Sequence, residues 1–246
     1  SATLPRRTAN SKRRSERIWK FSNQSKGAAS RRESGVCFCK PERERNAQDA
    51  ERKEKMKLIL ASRSPRRKEL LKELCPAFEV CPALGEEKTD FSLPACEVVK
   101  SLAFHKAKEV AALPSSRGAA VLGADTVVAL DGRILGKPKD EEDAFEMLSA
   151  LSGRVHEVFT GVCLLCPAGD AEEKTALHCA RTLVEFEPLS EEFIRAYIAT
   201  GSPMDKAGAY GIQDGGLVRR IEGSYSNVVG LPLELLGEML KDLPLS

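Results

Sequence analysis

The sequence predicts an α/β domain built on a mixed central sheet, with a basic extension in front of it. From residue 57 onward, apolar runs typical of strands alternate with amphipathic runs typical of helices, which is the pattern of an α/β domain. Some strand-like runs follow one another with no helix between them, so the sheet is expected to contain antiparallel pairs as well as parallel ones. A third observation, the charge, separates the two parts of the chain.

The charge changes sign along the chain. Of the 38 Lys/Arg and 36 Asp/Glu residues, residues 1–55 hold 16 and 7, which gives this segment +9 and leaves −7 for residues 56–246. Residues 1–55 have few apolar positions and no helical or alternating period, so we predict that they are disordered. Residues 56–246 are predicted to form one domain.

Three interpretations of the extension stay open. A mitochondrial transit peptide is rich in Arg and Ser but poor in acids, and the five acids between Glu42 and Glu54 weigh against it. A basic arm that neutralises the phosphates of a nucleic acid is the second interpretation. We favour the third, that residues 1–55 are non-native upstream sequence, because the first Met is Met56, directly before a strand-like run.

Composition also limits where the protein acts. No apolar run approaches the roughly 18–20 residues that a membrane-spanning helix needs. The first residues lack the apolar segment of a secretory signal. The eight cysteines lie scattered in a chain too large to need disulfides for stability, which indicates reduced thiols. We therefore expect a cytoplasmic protein with no membrane partner.

The first strand and helix of the domain are joined by a segment rich in Ser and Arg. Lys57–Ala61 reads as a buried strand, and the following helix is predicted to have Ser64 as its N-cap and Pro65 as its first residue. Further helices are predicted at about 95–112, 139–151, 190–200 and 232–241, and further strands at 120–130, 154–166, 176–187 and 217–221.

Two arginines stand in the first turn of that helix. A helix N-terminus attracts phosphate through its free N–H groups, and Arg66 and Arg67 add charge and paired donors. The positive end of the helix dipole favours acids at this position, so two arginines here need another explanation. The alternative is that both arginines are solvated and pair with Glu69 or Glu73.

Asp125 lies within the most apolar stretch of the chain. An acid there is costly unless it is paired, bound to a metal or catalytic. Sites in open α/β sheets tend to lie at strand ends, which favours a functional role for this acid. The alternative is an acid that caps a turn.

Further candidates lie in loops and on one helix. Lys137 stands between Gly136 and Pro138 in a restricted loop, from which its ammonium can reach a phosphate, although a solvated lysine is an equal alternative. Lys106 and Lys108 are two residues apart on a helix, so only one of them can face a cleft.

Two loops supply a candidate metal ligand and a candidate base contact. Glu86 precedes the helix at 95–112 and can supply a metal oxygen ligand. Gln213 ends a segment of small residues, Asp205–Gln213, whose backbone can approach a ligand closely. Its amide can read a base edge by paired hydrogen bonds. A glycine-rich surface turn is the alternative.

Several blocks, in this order, resemble the Maf family over residues 57 to about 241. They are Leu58-Ile59-Leu60-Ala61-Ser62-x-Ser64-Pro65-Arg66-Arg67, Gly123-Ala124-Asp125-Thr126-Val127-Val128, Gly136-Lys137-Pro138, Leu151-Ser152-Gly153-Arg154, Thr160-Gly161-Val162, Asp205-Lys206-Ala207-Gly208-Ala209-Tyr210-Gly211-Ile212-Gln213, Ile221-Glu222-Gly223-Ser224-Tyr225 and Val229-Gly230-Leu231-Pro232.

The resemblance implies an elongated, two-lobed α/β fold similar to inosine triphosphate pyrophosphatase, with a nucleotide cleft between the lobes. It also implies cleavage between the α- and β-phosphates of a nucleoside triphosphate with Mg²⁺ or Mn²⁺, and a homodimer. Asp125 matches the family's proton acceptor, and the phosphate- and metal-site positions of the family match Ser62, Arg66, Glu86, Lys106 and Lys137.

The resemblance also indicates a substrate branch. Arg66, Thr126 and Gln213 match the positions that separate the branches, and together they resemble the branch that acts on dTTP and UTP. Asp214 departs from the family, which usually has Gly after the Gln, so the loop beside the base is expected to differ here.

The resulting hypothesis is a metal-dependent pyrophosphatase in which Asp125 activates water and binds the metal with Glu86. Its substrate-binding side chains are Ser62, Arg66, Arg67, Lys106, Thr126, Lys137 and Gln213. The same chemistry on 7-methyl-GTP or another purine nucleotide stays open as an alternative. So does a nucleotide-binding regulator of cell division.

Overall fold

A computed structural model describes residues 56–85, 90–167, 174–241 and 243–245. The extension, residues 1–55, and Glu86 lie outside the described residues, so the predictions made for them are not tested. Among the residues described, no helix is long and apolar enough to cross a membrane.

In the part of the chain that the structure describes, seven strands form one mixed sheet. The strands are β1 (Leu58–Leu60), β2 (Glu79–Val80), β3 (Ala120–Leu130), β4 (Arg133–Leu135), β5 (Val155–Cys166), β6 (Lys174–Phe186) and β7 (Val218–Glu222). Their order is β2-β1-β3-β5-β6-β7, with β4 paired to β3. β1 is parallel to β2 and β3, and the other pairs are antiparallel. The predicted mixed sheet is confirmed.

Six α-helices of the described segments pack on the sheet. They are α1 (Pro65–Leu74), α2 (Ala95–Ala111), α3 (Glu141–Leu151), α4 (Glu191–Ile198), α5 (Tyr225–Val229) and α6 (Leu233–Leu240). Ser64 is the N-cap of α1, its hydroxyl accepts a hydrogen bond from the Arg67 N–H, and Pro65 is the first helical residue, as predicted. The two-residue β2, the hairpin partner β4 and the single-turn-length α5 were not predicted, since runs this short carry no clear period.

Two apolar cores lie at opposite ends of β3. At its beginning, Ala120, Leu122 and Ala124 pack with β1, α1 and α6 in one core. At its end, Val128 and Leu130 pack with α3 and α4 in another. The sheet therefore joins two lobes, and the middle of β3 lies between them.

The middle of β3 has one uncovered edge. β5 covers the other edge from Val121 to Ala129. On the open side, β1 pairs with residues 120–122 and β4 pairs with residues 128–130, so residues 123–127 have no strand beside them. Asp125 and Thr126 lie in this gap. The predicted strand at 120–130 is confirmed: Asp125 lies within β3, beside the point where β1 ends, and does not cap a turn.

Two glycines bring α2 close to the sheet. A Cβ on Gly123 would lie 2.2 Å from the carbonyl oxygen of Ala103, and a Cβ on Gly161 would lie 2.2 Å from that of Val99. Only glycine permits this approach of backbone to backbone. The close packing sets the position of α2 over the sheet, and with it the position of Lys106.

Candidate active site

The uncovered part of β3 forms the floor of a cleft. The cleft has a volume of about 660 Å³, which is in the range of small-molecule sites. The predicted site residues that line it are Ser62, Arg66, Arg67, Lys106, Asp125, Thr126, Lys137 and Gln213. The structure thus brings together every candidate that it describes, although they are spread over about 150 residues of sequence.

Asp125 and Lys106 form an ion pair in the cleft. The Lys106 ammonium donates to Oδ1 of Asp125, and the two side chains are 18% and 13% exposed. Lys108 instead lies over the Phe104 ring, 5.5 Å from its centroid. Of the two lysines, Lys106 alone lines the cleft, as predicted. The attraction between the two groups offsets part of the cost of burying them.

Asp125 and Thr126 project from opposite faces of the sheet. Successive strand residues alternate, so Asp125 points to the α2 side and Thr126 points towards α1. Both reach the cleft because the edge of β3 is open at this point. The pairing of β1 and β4 therefore decides which two residues of this apolar strand become accessible.

Arg67 holds the α1 side of the cleft together. Its Nε donates to the Gly230 carbonyl at 2.7 Å, its Nη1 to the Ser62 hydroxyl at 3.4 Å, and its Nη2 to the Thr126 hydroxyl at 2.9 Å. Each acceptor belongs to a different segment. Arg67 thus lines the cleft, but at least three of its N–H groups are directed to the protein itself.

A buried polar chain continues from Thr126. The hydroxyls of Thr126 and Thr160 are 2.9 Å apart, and that of Thr160 donates to the Asn227 carbonyl at 2.9 Å. The Asn227 amide in turn donates to the Thr182 hydroxyl at 2.9 Å. Thr160 and Asn227 are fully buried. This network was not predicted from the sequence, although polar residues such as Thr160 and Asn227 within apolar stretches were a signal of it.

Arg66 is more loosely held than Arg67. Its Nη1 lies 3.5 Å from Oδ2 of Asp205, which is long for a charge-assisted hydrogen bond. Lys137 lines the same cleft from an exposed loop and makes no ion pair with any described residue. These two cations can therefore turn to a ligand at little cost.

The family is decided by comparison with known proteins. The model of the Maf family, described as "Maf-like protein", matches residues 57–243. The chain belongs to the Maf family.

Relatives in this family are similar over nearly their whole length. The dTTP/UTP pyrophosphatase of Thermococcus gammatolerans is 49% identical over 184 residues, which are 74% of this chain and 94% of the relative. That of Bacillus cytotoxicus is 50% identical over 188 residues, 75% of this chain and 94% of the relative. The structure of the Staphylococcus aureus Ham1 protein aligns with 75% of this chain and 98% of its own, at 16% identity and a TM-score of 0.44.

Five of the eight Maf blocks contain residues that line the cleft. The opening block forms β1 and the start of α1, the block around Asp125 forms the floor, and the block ending at Gln213 forms the wall nearest α4. Tyr210 of the last block is buried, and its hydroxyl lies 2.8 Å from Nε2 of His156. These blocks, which are far apart in the sequence, therefore lie around one site.

Proposed function

We propose that this Maf-family chain hydrolyses dTTP and UTP to the monophosphate and pyrophosphate. The observation that carries the proposal is the Asp125–Lys106 pair at the open edge of β3, with Arg66 and Lys137 in the same cleft. The relatives are named dTTP/UTP pyrophosphatases, which supports the same reaction and the same substrates. A site that only bound nucleotides would not need a carboxylate beside three cations.

In the proposed reaction, Asp125 accepts the proton of a water molecule. The water oxygen forms a bond to the α-phosphorus, the bond from that phosphorus to the oxygen bridging to the β-phosphorus breaks, and pyrophosphate leaves. Lys106 orients the carboxylate through its ion pair. No covalent intermediate with the protein is required.

The cations of the cleft would neutralise the triphosphate. Arg66 would exchange its long contact to Asp205 for phosphate oxygens, and Lys137 would approach from its loop. Ser62, at the end of β1, would contact phosphate beside the N-terminus of α1, where free N–H groups favour an anion. Thr126 and Gln213 would lie nearer the nucleoside.

A divalent cation, Mg²⁺ or Mn²⁺, fits the residues of the cleft. Among the described residues, no group of three or more His, Cys, Asp or Glu side chains could hold a metal ion without a substrate. Mg²⁺ usually binds through one or two carboxylates together with substrate phosphates. Asp125, with Glu86 as the predicted second ligand, would hold a cation that arrives with the nucleotide. When bound, it would offset charge on the phosphates.

The test is pyrophosphate release by the full chain with Mg²⁺, measured on dTTP, UTP, CTP, GTP and 7-methyl-GTP. We expect turnover of dTTP and UTP, and its loss when EDTA removes the metal. Turnover of 7-methyl-GTP alone would support the proposed reaction but contradict the proposed specificity for dTTP and UTP. A folded protein that turned over none of them would favour the regulator of cell division. A homodimer, a cytoplasmic location and nucleic-acid binding by residues 1–55 stay predictions.

A further inference from the structure

The turn that carries Gln213 is closed by its neighbour, Asp214. The Asp214 N–H donates to the Gly211 carbonyl at 3.0 Å, and residues 212–214 form one short 3₁₀ turn. Two glycines with φ of 74° and 73° follow it. Such glycines give a turn little stiffness of its own, so the contacts of Asp214 decide how firmly Gln213 is held.

The Asp214 carboxylate is bound by two hydroxyl groups. Its Oδ2 accepts from the Tyr197 hydroxyl at 2.5 Å and from the Ser202 hydroxyl at 2.7 Å. The Tyr197 oxygen also accepts from the Gly211 N–H at 3.0 Å, so one tyrosine bonds both ends of the turn. Tyr197 lies on α4 and is only 9% exposed. The turn is thereby fixed to the core of its lobe.

The same contacts continue to the phosphate side of the cleft. The Lys206 ammonium donates to the Ser202 hydroxyl at 2.9 Å and to Oδ1 of Asp205 at 2.9 Å. The other carboxylate oxygen of Asp205 faces Arg66 at 3.5 Å. A continuous polar chain therefore runs from Asp214 through Ser202, Lys206 and Asp205 to Arg66.

We propose that Asp214 is a positioning residue for base selection, which holds Gln213 at a fixed place in the cleft. The inference rests on the proposed function, in that the nucleotide occupies this cleft. Arg66 fixes the phosphate end of the substrate, and Gln213 meets the base at the other end. Selectivity for the base then depends on where Gln213 lies, which the bonds of Asp214 to Tyr197 and Ser202 set. A glycine at 214 has no side chain with which to make these bonds.

The protonation states suit this role. Burial alone would raise the pKa of Asp214, but hydrogen bonds from Tyr197 and Ser202 outweigh it and leave the pKa below its ordinary value. Burial first, and then the bond to Asp214, raise the pKa of Tyr197. At neutral pH the carboxylate is therefore ionised and the phenol is a donor, so the bond between them persists.

The test compares Asp214→Ala with Asp214→Asn in the full chain. Both variants remove the negative charge, but the Asn amide oxygen still accepts the two hydroxyl bonds. For Asp214→Ala we expect KM for UTP to rise about tenfold with kcat nearly unchanged, and the preference for UTP over CTP to narrow. Asp214→Asn should keep a KM for UTP and a base preference close to those of the wild type. Tyr197→Phe should resemble Asp214→Ala, and the double variant should be no worse than either.

The outcomes separate this inference from the proposed function. If the wild type does not turn over UTP, both are overturned. If the wild type is active and Asp214→Ala leaves KM and base preference unchanged, this inference alone fails. It also fails if Asp214→Asn is as impaired as Asp214→Ala, because the effect is then one of net charge. The melting temperature of each variant is compared with that of Glu238→Ala, a control at an exposed position. Similar melting temperatures exclude unfolding as the cause of a change in KM.

Discussion

The Arg67 guanidinium donates a 2.9 Å hydrogen bond to the Thr126 hydroxyl, and so joins helix α1 to the strand that carries Asp125. The other bonds of Arg67 reach the end of β1 through Ser62 and the segment after α5 through Gly230. One side chain thereby connects four segments that meet around the cleft. This makes Arg67 a support of the site in addition to a predicted phosphate contact.

We expect Arg67→Lys to lower the free energy of unfolding by about 1–3 kcal/mol, because an ammonium cannot reproduce the planar set of donors and leaves partly buried acceptors unpaired. Urea denaturation of the variant measures this loss. Arg63→Lys makes the same chemical change at an exposed position and should have no measurable effect. Equal stabilities of the two variants would show that Arg67 does not support the fold.

We expect Asp125→Asn to lower pyrophosphate release by about a hundredfold or more, since an amide cannot accept the proton of water. Its unfolding transition should stay cooperative, because Asn still accepts a hydrogen bond from Lys106. Asp131→Asn is the matched control: Asp131 is exposed, lies on the β3–β4 hairpin and has φ of 50°, a conformation that Asn tolerates. An active Asp125→Asn enzyme would remove Asp125 from the mechanism.

Much of the fold and site was predictable because local patterns specify them. The long strands and amphipathic helices have clear periods, and the start of α1 has a recognisable cap in Ser64 and Pro65. The candidate acid was predictable because an Asp in an apolar run is costly. Each of these signals lies in a short stretch of sequence, and in this protein tertiary contacts do not change the local structure that it predicts.

The partnerships within the site were not predictable, because they depend on register. Asp125 is accessible only because β1 ends opposite Leu122 and β4, which is antiparallel to β3, ends opposite Val128. A pairing register is not visible in one strand. Likewise, the sequence showed only that Asp214 stands where the family usually has Gly, and gave no indication of its partners. Its bonds to Tyr197 and Ser202 join residues 17 and 12 positions away.

We expect Gly161→Ala to destabilise the protein by about 3 kcal/mol, since the new Cβ would lie 2.2 Å from the Val99 carbonyl oxygen and would push α2 off the sheet. Because α2 carries Lys106, activity should fall more than stability alone explains. Gly237→Ala is the control: it lies in α6 with its nearest neighbour at 3.9 Å, and should be neutral or stabilising by up to about 1 kcal/mol. A Gly161→Ala protein as stable and active as this control would contradict the packing argument.

His156 makes stability depend on pH. Burial lowers the pKa of its imidazole to about 4, from an ordinary value of 6.5, and its Nδ1 is buried with no hydrogen-bond partner among the described residues. Above pH 6.5 the ring is neutral in both the folded and unfolded protein, so it adds no pH dependence. Between pH 6.5 and 4 the unfolded chain binds a proton that the folded protein does not, so stability falls as the pH falls.

We expect this histidine to contribute a loss of about 2 kcal/mol in the free energy of unfolding between pH 7.5 and pH 5. Urea denaturation at the two pH values measures the loss, and His156→Gln should reduce it because glutamine does not titrate. Nε2 of His156 lies 2.8 Å from the Tyr210 hydroxyl, a bond that the glutamine amide can replace in part. His105→Gln removes an exposed imidazole on α2, and this variant should keep the full pH dependence of stability. If both variants show the dependence of the wild type, the acid sensitivity arises from carboxylates and not from His156.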